Sequence, residues 1–197
     1  MFKLFRKCKK MNNHFFRMDR KDQKEIETFL VTYEKFVKKT VGKVQSKACI
    51  SIVNEGIKAF TKAIFTFEID KNTDFESFAD LKIRVAVAKK ISSGKESIVR
   101  AAEIRHFQEK LNEFGVRFDD LAQVTPKREE KNKIFGICDA ICEDREMSAY
   151  LLESKKVPVK KLMTVINVSN NIYKRYECYI IAIALMQIFK YEYLTFL

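Results

Sequence analysis

Glycine and proline are scarce in this chain of 197 residues, five and two respectively. A β-sandwich or barrel draws on both residue types for its many tight turns, and phosphate-cradling loops need clustered glycines. Those architectures are excluded, as are collagen-like and low-complexity chains. Long apolar runs are missing too. The longest, Tyr179 to Phe189, is interrupted by Gln187 and is too short for a membrane span of about 20 residues. Met1 to Phe16 has basic residues but lacks the apolar stretch of about 7–15 residues that a secretory leader carries. A cytoplasmic protein that is not itself a membrane protein is expected.

The five cysteines, Cys8, Cys49, Cys138, Cys142 and Cys178, are an odd number, which argues against a disulfide framework. Cys138 and Cys142 would share a helix face, but zinc needs two further ligands, and His14 and His106 are distant in sequence. No metal or cofactor is expected, and the thiols read as small buried hydrophobes in a reducing compartment. No Ser/His/Asp or Cys/His pairing stands at a telling spacing, and Glu143, Asp144 and Glu146 read as a solvated charge run. An enzyme is not expected.

Apolar residues make up 47% of the chain, enough for a buried core. The net charge is +12 and is unevenly placed. Residues 1–24 hold nine basic side chains against Asp19 and Asp22. Such an arm meets a nucleic acid or an anionic membrane, or is simply solvated. The apolar residues Phe2, Leu4, Phe5, Phe15 and Phe16 are only weakly periodic, which disfavours the membrane.

Apolar spacing predicts helices nearly throughout. Ile26, Phe29, Leu30, Tyr33, Phe36, Val37, Val41 and Val44 define one amphipathic helix within Lys21–Val44, and Val53 to Phe67 a second. An acidic turn, residues 68–74, follows, and Asp74 is placed to cap a helix opening at Phe75. Leu81, Ile83, Val85 and Val87 alternate as in a strand, but no partner strand is visible, so the segment is read as helix. Ser92 to Lys95 ends it and marks the domain boundary. Further stripes run from Ile104 to Phe114, closed by Gly115, then Phe118 to Val124, Ile134 to Ile141, and Met147 to Leu152.

The last stretch predicts a helix-turn-helix. Val159 to Ile166 form a short helix, Asn167-Val168-Ser169 a turn, and Ile172 to Ile183 a long helix. Asn167 tolerates positive φ, and Ser169 is a strong N-cap. Asn170, Asn171, Lys174 and Arg175 then project where a recognition helix meets bases and phosphates. Seven basic residues stand against Glu177 between Lys155 and Lys190. A plain packed helical hairpin fits the same pattern.

Two stretches of the C-terminal half, Leu111 to Leu121 with Val124-Thr-Pro-Lys127, and Val157 to Leu162 with Asn167-Val-Ser169 and Tyr179 to Leu185, closely resemble the sigma-I group of bacterial RNA polymerase sigma factors. In the N-terminal half, Ile57 to Ile64 and Phe75-Glu-Ser-Phe-Ala79 resemble the sigma-70-family region that binds core polymerase and reads the −10 element. The resemblance implies an all-α protein of two small helical domains, the second containing the helix-turn-helix. The expected bounds are an arm over 1–20, a core-binding and −10-binding domain over 21–94, and a −35-binding domain over 95–197. It implies docking on core RNA polymerase by Ile57, Phe60, Thr61, Ile64 and Phe67, and −10 promoter DNA contacts by Lys82, Arg84, Lys89 and Lys90. Ser169, Asn170, Asn171, Lys174 and Arg175 would meet the −35 element. A membrane-anchored anti-sigma factor is implied as a further partner. The sequence departs from the group where residues 45–50 replace a longer acidic segment, and where the −10-facing helix is poor in arginine. Both a divergent initiation factor and a DNA-binding or polymerase-binding regulator that has lost initiation therefore stay open.

Overall fold

In a computed structural model the described residues are 2–69, 74–93, 96–167 and 169–194, with side chains described for all of these but 2–9 and 170. Among them the protein is all-α, with twelve helices and no strand. Two compact units divide the chain, the break falling inside one helix, between Glu103 and Ile104.

The first unit is built from α1 (Phe2–Arg17), α2 (Gln23–Thr32), α3 (Glu34–Val44), α4 (Ile50–Thr66) and α5 (Phe75–Ile91). The apolar stripe expected to form a single helix over Lys21–Val44 is broken at Tyr33, whose φ of −107° and ψ of 14° end α2 and start α3. The tyrosine ring packs on Phe29 and His14, so the side chain holds the bend that periodicity alone does not reveal. Asp74 caps α5 as expected, its carboxylate accepting from the Ser77 N–H at 3.1 Å.

The segment expected as a free basic arm is part of this unit from Lys10 onward. Met11, Phe15 and Met18, spaced by four and three residues, are buried. Phe15 lies face to face on Phe75, centroids 3.8 Å apart, and meets Phe67 edge-on at 5.3 Å. Asn12 accepts from the Glu76 N–H at 3.0 Å, and Arg20 donates to the carbonyls of Ile64 and Phe67, closing the C-terminal end of α4. Basic composition concealed this apolar face because the lysines and arginines that flank it, Lys7, Lys9, Lys10, Arg17 and Arg20, dominate the segment.

Gly56 sets the crossing of α3 and α4. A Cβ there would lie 2.5 Å from Val41 Cγ2, so the two helices approach through the missing side chain.

The second unit holds the C-terminal part of α6 (Glu96–Glu113), then α7 (Phe118–Gln123), α8 (Arg128–Glu143), α9 (Arg145–Ser154), α10 (Val159–Val165), α11 (Asn170–Arg175) and α12 (Glu177–Phe189). Gly115, at φ 72°, takes the left-handed conformation expected of it after α6, and the Val116 N–H returns to the Leu111 carbonyl at 3.0 Å. Ile134, Ile137, Cys138 and Ile141 line the inner face of α8, and α12, the longest apolar run, has nine buried residues of its thirteen. Asp144, expected to be only part of a solvated charge run, caps α9 by accepting from the N–H groups of Glu146 and Met147.

Candidate nucleic-acid interface

α10 is held in place by Leu162, buried in the unit, and by Lys161, whose Nζ lies 2.8 Å from Asp144 and 2.7 Å from Glu146. The chain leaves α10 in extended conformation at Ile166. Asn167 is not among the residues with positive φ, and Val168 lies outside the described residues, so the left-handed turn expected at Asn167 is not seen there. Ser169 stands at the N-cap position of α11 with extended backbone, but its hydroxyl makes no capping bond.

α11 is short. The helix expected to run on through Ile183 stops at Tyr176, at φ −113° and ψ 20°, and resumes as α12. Tyr173 and Tyr176 are buried, whereas Asn171 and, three and four residues after it, Lys174 and Arg175 are exposed on one outward face. Arg175 has a side-chain exposure of 69%. Ser169 is exposed beside them, and the side chain of Asn170 lies outside the described set. At the break the Tyr176 ring is buried and its hydroxyl donates to Glu130 Oε2 on α8 at 2.6 Å.

Not all the basic residues of this region face outward without partners. Lys155 lies 2.9 Å from Glu113 and over the ring of Phe114, and Lys161 is paired as above. Burial raises the Glu113 carboxyl, but Lys110 and Lys155 more than reverse it, so it sits below its ordinary value. Lys156, Lys160, Lys174, Arg175 and Lys190 are exposed, with Arg175 Nη1 4.0 Å from Glu130 Oε1.

The helix expected to face −10 DNA is built differently. Eleven of the seventeen residues of α5 are buried, including Leu81, Ile83, Val85 and Val87, so their alternation reflects a helix covered on several sides and not a strand. Arg84 is 2% exposed, with its Nε 2.7 Å from Asp80 Oδ2, and Asp80 also accepts from Thr40 at 2.8 Å and Lys43 at 3.2 Å. Arg84 therefore holds α5 inside its own unit and does not face solvent. Lys82 is half-buried, its ammonium 5.4 Å from the Phe78 ring centre, and Lys89 and Lys90 are exposed in the last turn.

The five residues expected to dock on polymerase divide likewise. Phe60, Ile64 and Phe67 are buried in the aromatic core around Phe75. Ile57 and Thr61 are partly exposed, and the Thr61 hydroxyl donates to the Ile57 carbonyl at 3.0 Å. The outer face of α4 is carried by Asn54, Lys58, Lys62 and Phe65.

No protein-family model matches the chain. Individual proteins do. RNA polymerase sigma factor SigI of Bacillus anthracis is 27% identical over 206 residues, covering 88% of this chain and 86% of that protein. SigI of Bacillus subtilis is 25% identical with the same coverage, and SigI3 of Acetivibrio thermocellus is 25% identical over 66% of this chain. The chain is a divergent homologue of the SigI group.

In the second unit, α8 carries the anion that meets the end of α11. Glu130 and Tyr176 escape detection in the sequence, Tyr176 because it falls in an apolar stripe and Glu130 because it is one acid among several. The available signal was the position of Glu130 in the first turn of α8, where its carboxylate accepts from the Lys127 N–H at 3.1 Å. The hydrogen bond from Tyr176 holds the Glu130 carboxyl below its ordinary range and raises the tyrosine in return. Cys138 and Cys142, weighed and set aside as metal ligands, turn their thiols toward α12, to the Ile180 carbonyl at 3.5 Å and to Gln187 Oε1 at 3.2 Å.

Proposed function

We propose that this protein is an RNA polymerase sigma factor that binds core polymerase in the cytoplasm and directs promoter-specific initiation. In this reading the first unit, residues 10–20 included, serves core polymerase and the −10 element, and the second unit reads the −35 element through α11. The observation that carries it is the outward face of Asn171, Lys174 and Arg175 in a chain whose sigma-factor relatives it matches over most of both lengths. An exposed amide beside two cations is the side-chain set that reads base edges and neutralises phosphates. Lys89 and Lys90, exposed, and Lys82, half-buried, are the groups of α5 assigned to −10 DNA in this reading, and Ile57 and Thr61 the matched core-docking positions with exposed surface. A membrane-anchored anti-sigma factor belongs to the same proposal.

The test is run-off transcription by purified full-length protein with bacterial core polymerase, on promoters recovered by selection. Specific transcripts are expected, and failure to bind core at all sinks the idea. Lys174→Ala and Arg175→Ala should each lower the salt dependence of duplex binding by about one unit of slope. Unchanged binding would move the contact surface elsewhere.

One observation favours a second reading, a core-binding regulator without initiation activity. Arg84, the arginine of the helix that should hold −10 DNA, is buried against Asp80. Alanine at Lys82, Lys89 and Lys90 together should abolish open-complex formation under the first reading. Core binding without transcripts from any selected promoter would establish the second.

A further inference from the structure

The carboxylate of Glu130 serves three groups at once. Oε2 accepts from the Lys127 N–H at 3.1 Å, at the start of α8, and from the Tyr176 hydroxyl at 2.6 Å, at the break between α11 and α12. Oε1 lies 4.0 Å from Arg175 Nη1, and the Arg175 guanidinium sits 5.3 Å from the centre of the Tyr176 ring. The last residue of the exposed helix is thus held between an aromatic face and an anion, and both are fixed to α8. At six residues α11 has little helical stability of its own, so its end must be fixed by tertiary contacts. The Glu130–Arg175 pair is long and its Arg175 side is largely exposed, which makes it easy for another anion to displace the carboxylate.

We propose that Glu130 is a positioning residue for α11: through Tyr176 it fixes where the helix ends, and through Arg175 it restrains that cation until a DNA phosphate displaces it. The proposal rests on the reading of α11 as the DNA-facing helix. The consequence is selectivity. A cation partly offset by its own carboxylate binds random DNA weakly, and it engages fully only where the rest of the face fits. The tether sets the register in which Asn171 and Lys174 meet the groove.

The experiment uses the full-length protein, alone and bound to core polymerase, with mixed-sequence duplex DNA as probe across a salt series. Glu130→Gln keeps an acceptor oxygen for Tyr176 and Lys127 but removes the charge. It should bind the duplex about twofold to fivefold more tightly at low salt, with a salt slope steeper by up to about one unit. In an Arg175→Ala background the same substitution should add nothing. Tyr176→Phe keeps the ring under Arg175 and loses the tether. It should retain mixed-sequence affinity yet recover a weaker consensus from a random duplex library than the parent protein. Circular dichroism melts confirm that each variant is folded. A Glu130→Gln gain that persists without Arg175, or no gain while Arg175→Ala itself weakens binding, overturns the restraint and leaves the DNA reading of α11 standing. A Tyr176→Phe protein that discriminates like its parent overturns the tether. Unchanged binding by both Lys174→Ala and Arg175→Ala removes the DNA reading, and the proposal falls with it.

Discussion

α5 and α11 are the two helices that the sigma-factor resemblance sets against DNA, and they are built on opposite plans. α5 has seventeen residues, eleven of them buried, and keeps its arginine for an internal pair with Asp80. α11 has six residues and turns both of its cations outward. Charge written along a helix is therefore not the same as charge on its surface. A buried arginine must be matched by an anion and is then unavailable to a phosphate, whereas an exposed one is screened but free to exchange partners.

The sharpest way to test that contrast is to remove the buried anion from the one arrangement and an exposed cation from the other. Asp80→Ala removes the carboxylate beside Arg84 in the first unit, which also accepts from Thr40 and Lys43. The expected cost is about 3–5 kcal/mol, the range for breaking a buried pair by removing one partner. Lys174→Ala on α11 should stay within about 0.5 kcal/mol of the parent protein. Chemical denaturation followed by circular dichroism measures both. A stable Asp80→Ala protein would mean that Arg84 is free to face DNA after all, and the comparison would collapse.

Phe15→Ala asks whether the N-terminal segment belongs with α5. The ring is buried and stacked on Phe75 near the centre of the aromatic core, so truncation should cost about 3 kcal/mol or more through lost burial and the cavity left behind. A solvated arm predicts no change in the denaturation midpoint.

These two positions also show where the sequence was legible. Helical class, the N-cap at Asp74, the left-handed Gly115 and the face of α11 depend on local rules, spacing and capping, that act within one or two turns. Phe15 was hidden because composition averages over a segment, and nine cations outweighed three apolar positions at helical spacing. Arg84 was hidden because pairing with Asp80, though four residues away, becomes structural only when α3 covers it with Thr40 and Lys43. Tyr33 and Tyr176 broke helices that periodicity ran straight through, since each break depends on a contact made far along the chain. What failed was long-range packing, and it failed most at the residues proposed to do the work.

The second unit should also answer to acid. There, Asp144 is held below its ordinary 3.8 by the Lys161 hydrogen bond, and Glu113 below its ordinary 4.5 by Lys110 and Lys155. A carboxyl depressed by folding stabilises the native state above its unfolded pKa, and that contribution is lost as pH falls through the folded value. Acidification from pH 5 toward pH 3 should therefore lower the melting temperature of the second unit, modestly because the partners are partly exposed and screened by solvent. Lys155→Met together with Lys161→Met should flatten that part of the profile. A profile unchanged by the double substitution would show that the ion pairs are not coupled to folding.

The smallest effect is chemical, and it compares the same functional group in the two units. Cys49 is exposed at the N-terminus of α4, and the N–H of Ile52 draws its thiol below the ordinary 9.0. Cys142, partly covered between α8 and α12, is pushed up to about 12 by burial, and the fully buried Cys138 is raised well above the ordinary value. Only thiolate attacks an alkylating reagent, and at pH 8 a thiol of pKa near 12 is ionised in about one molecule in ten thousand. Iodoacetamide on the native protein should label Cys49 first, while Cys138 and Cys142 wait for the second unit to open, as peptide mass spectrometry resolves. Labelling of Cys142 at the rate of Cys49 would mean that α8 and α12 part readily. The platform that carries Glu130, and through it the end of α11, would then be too loose to position anything.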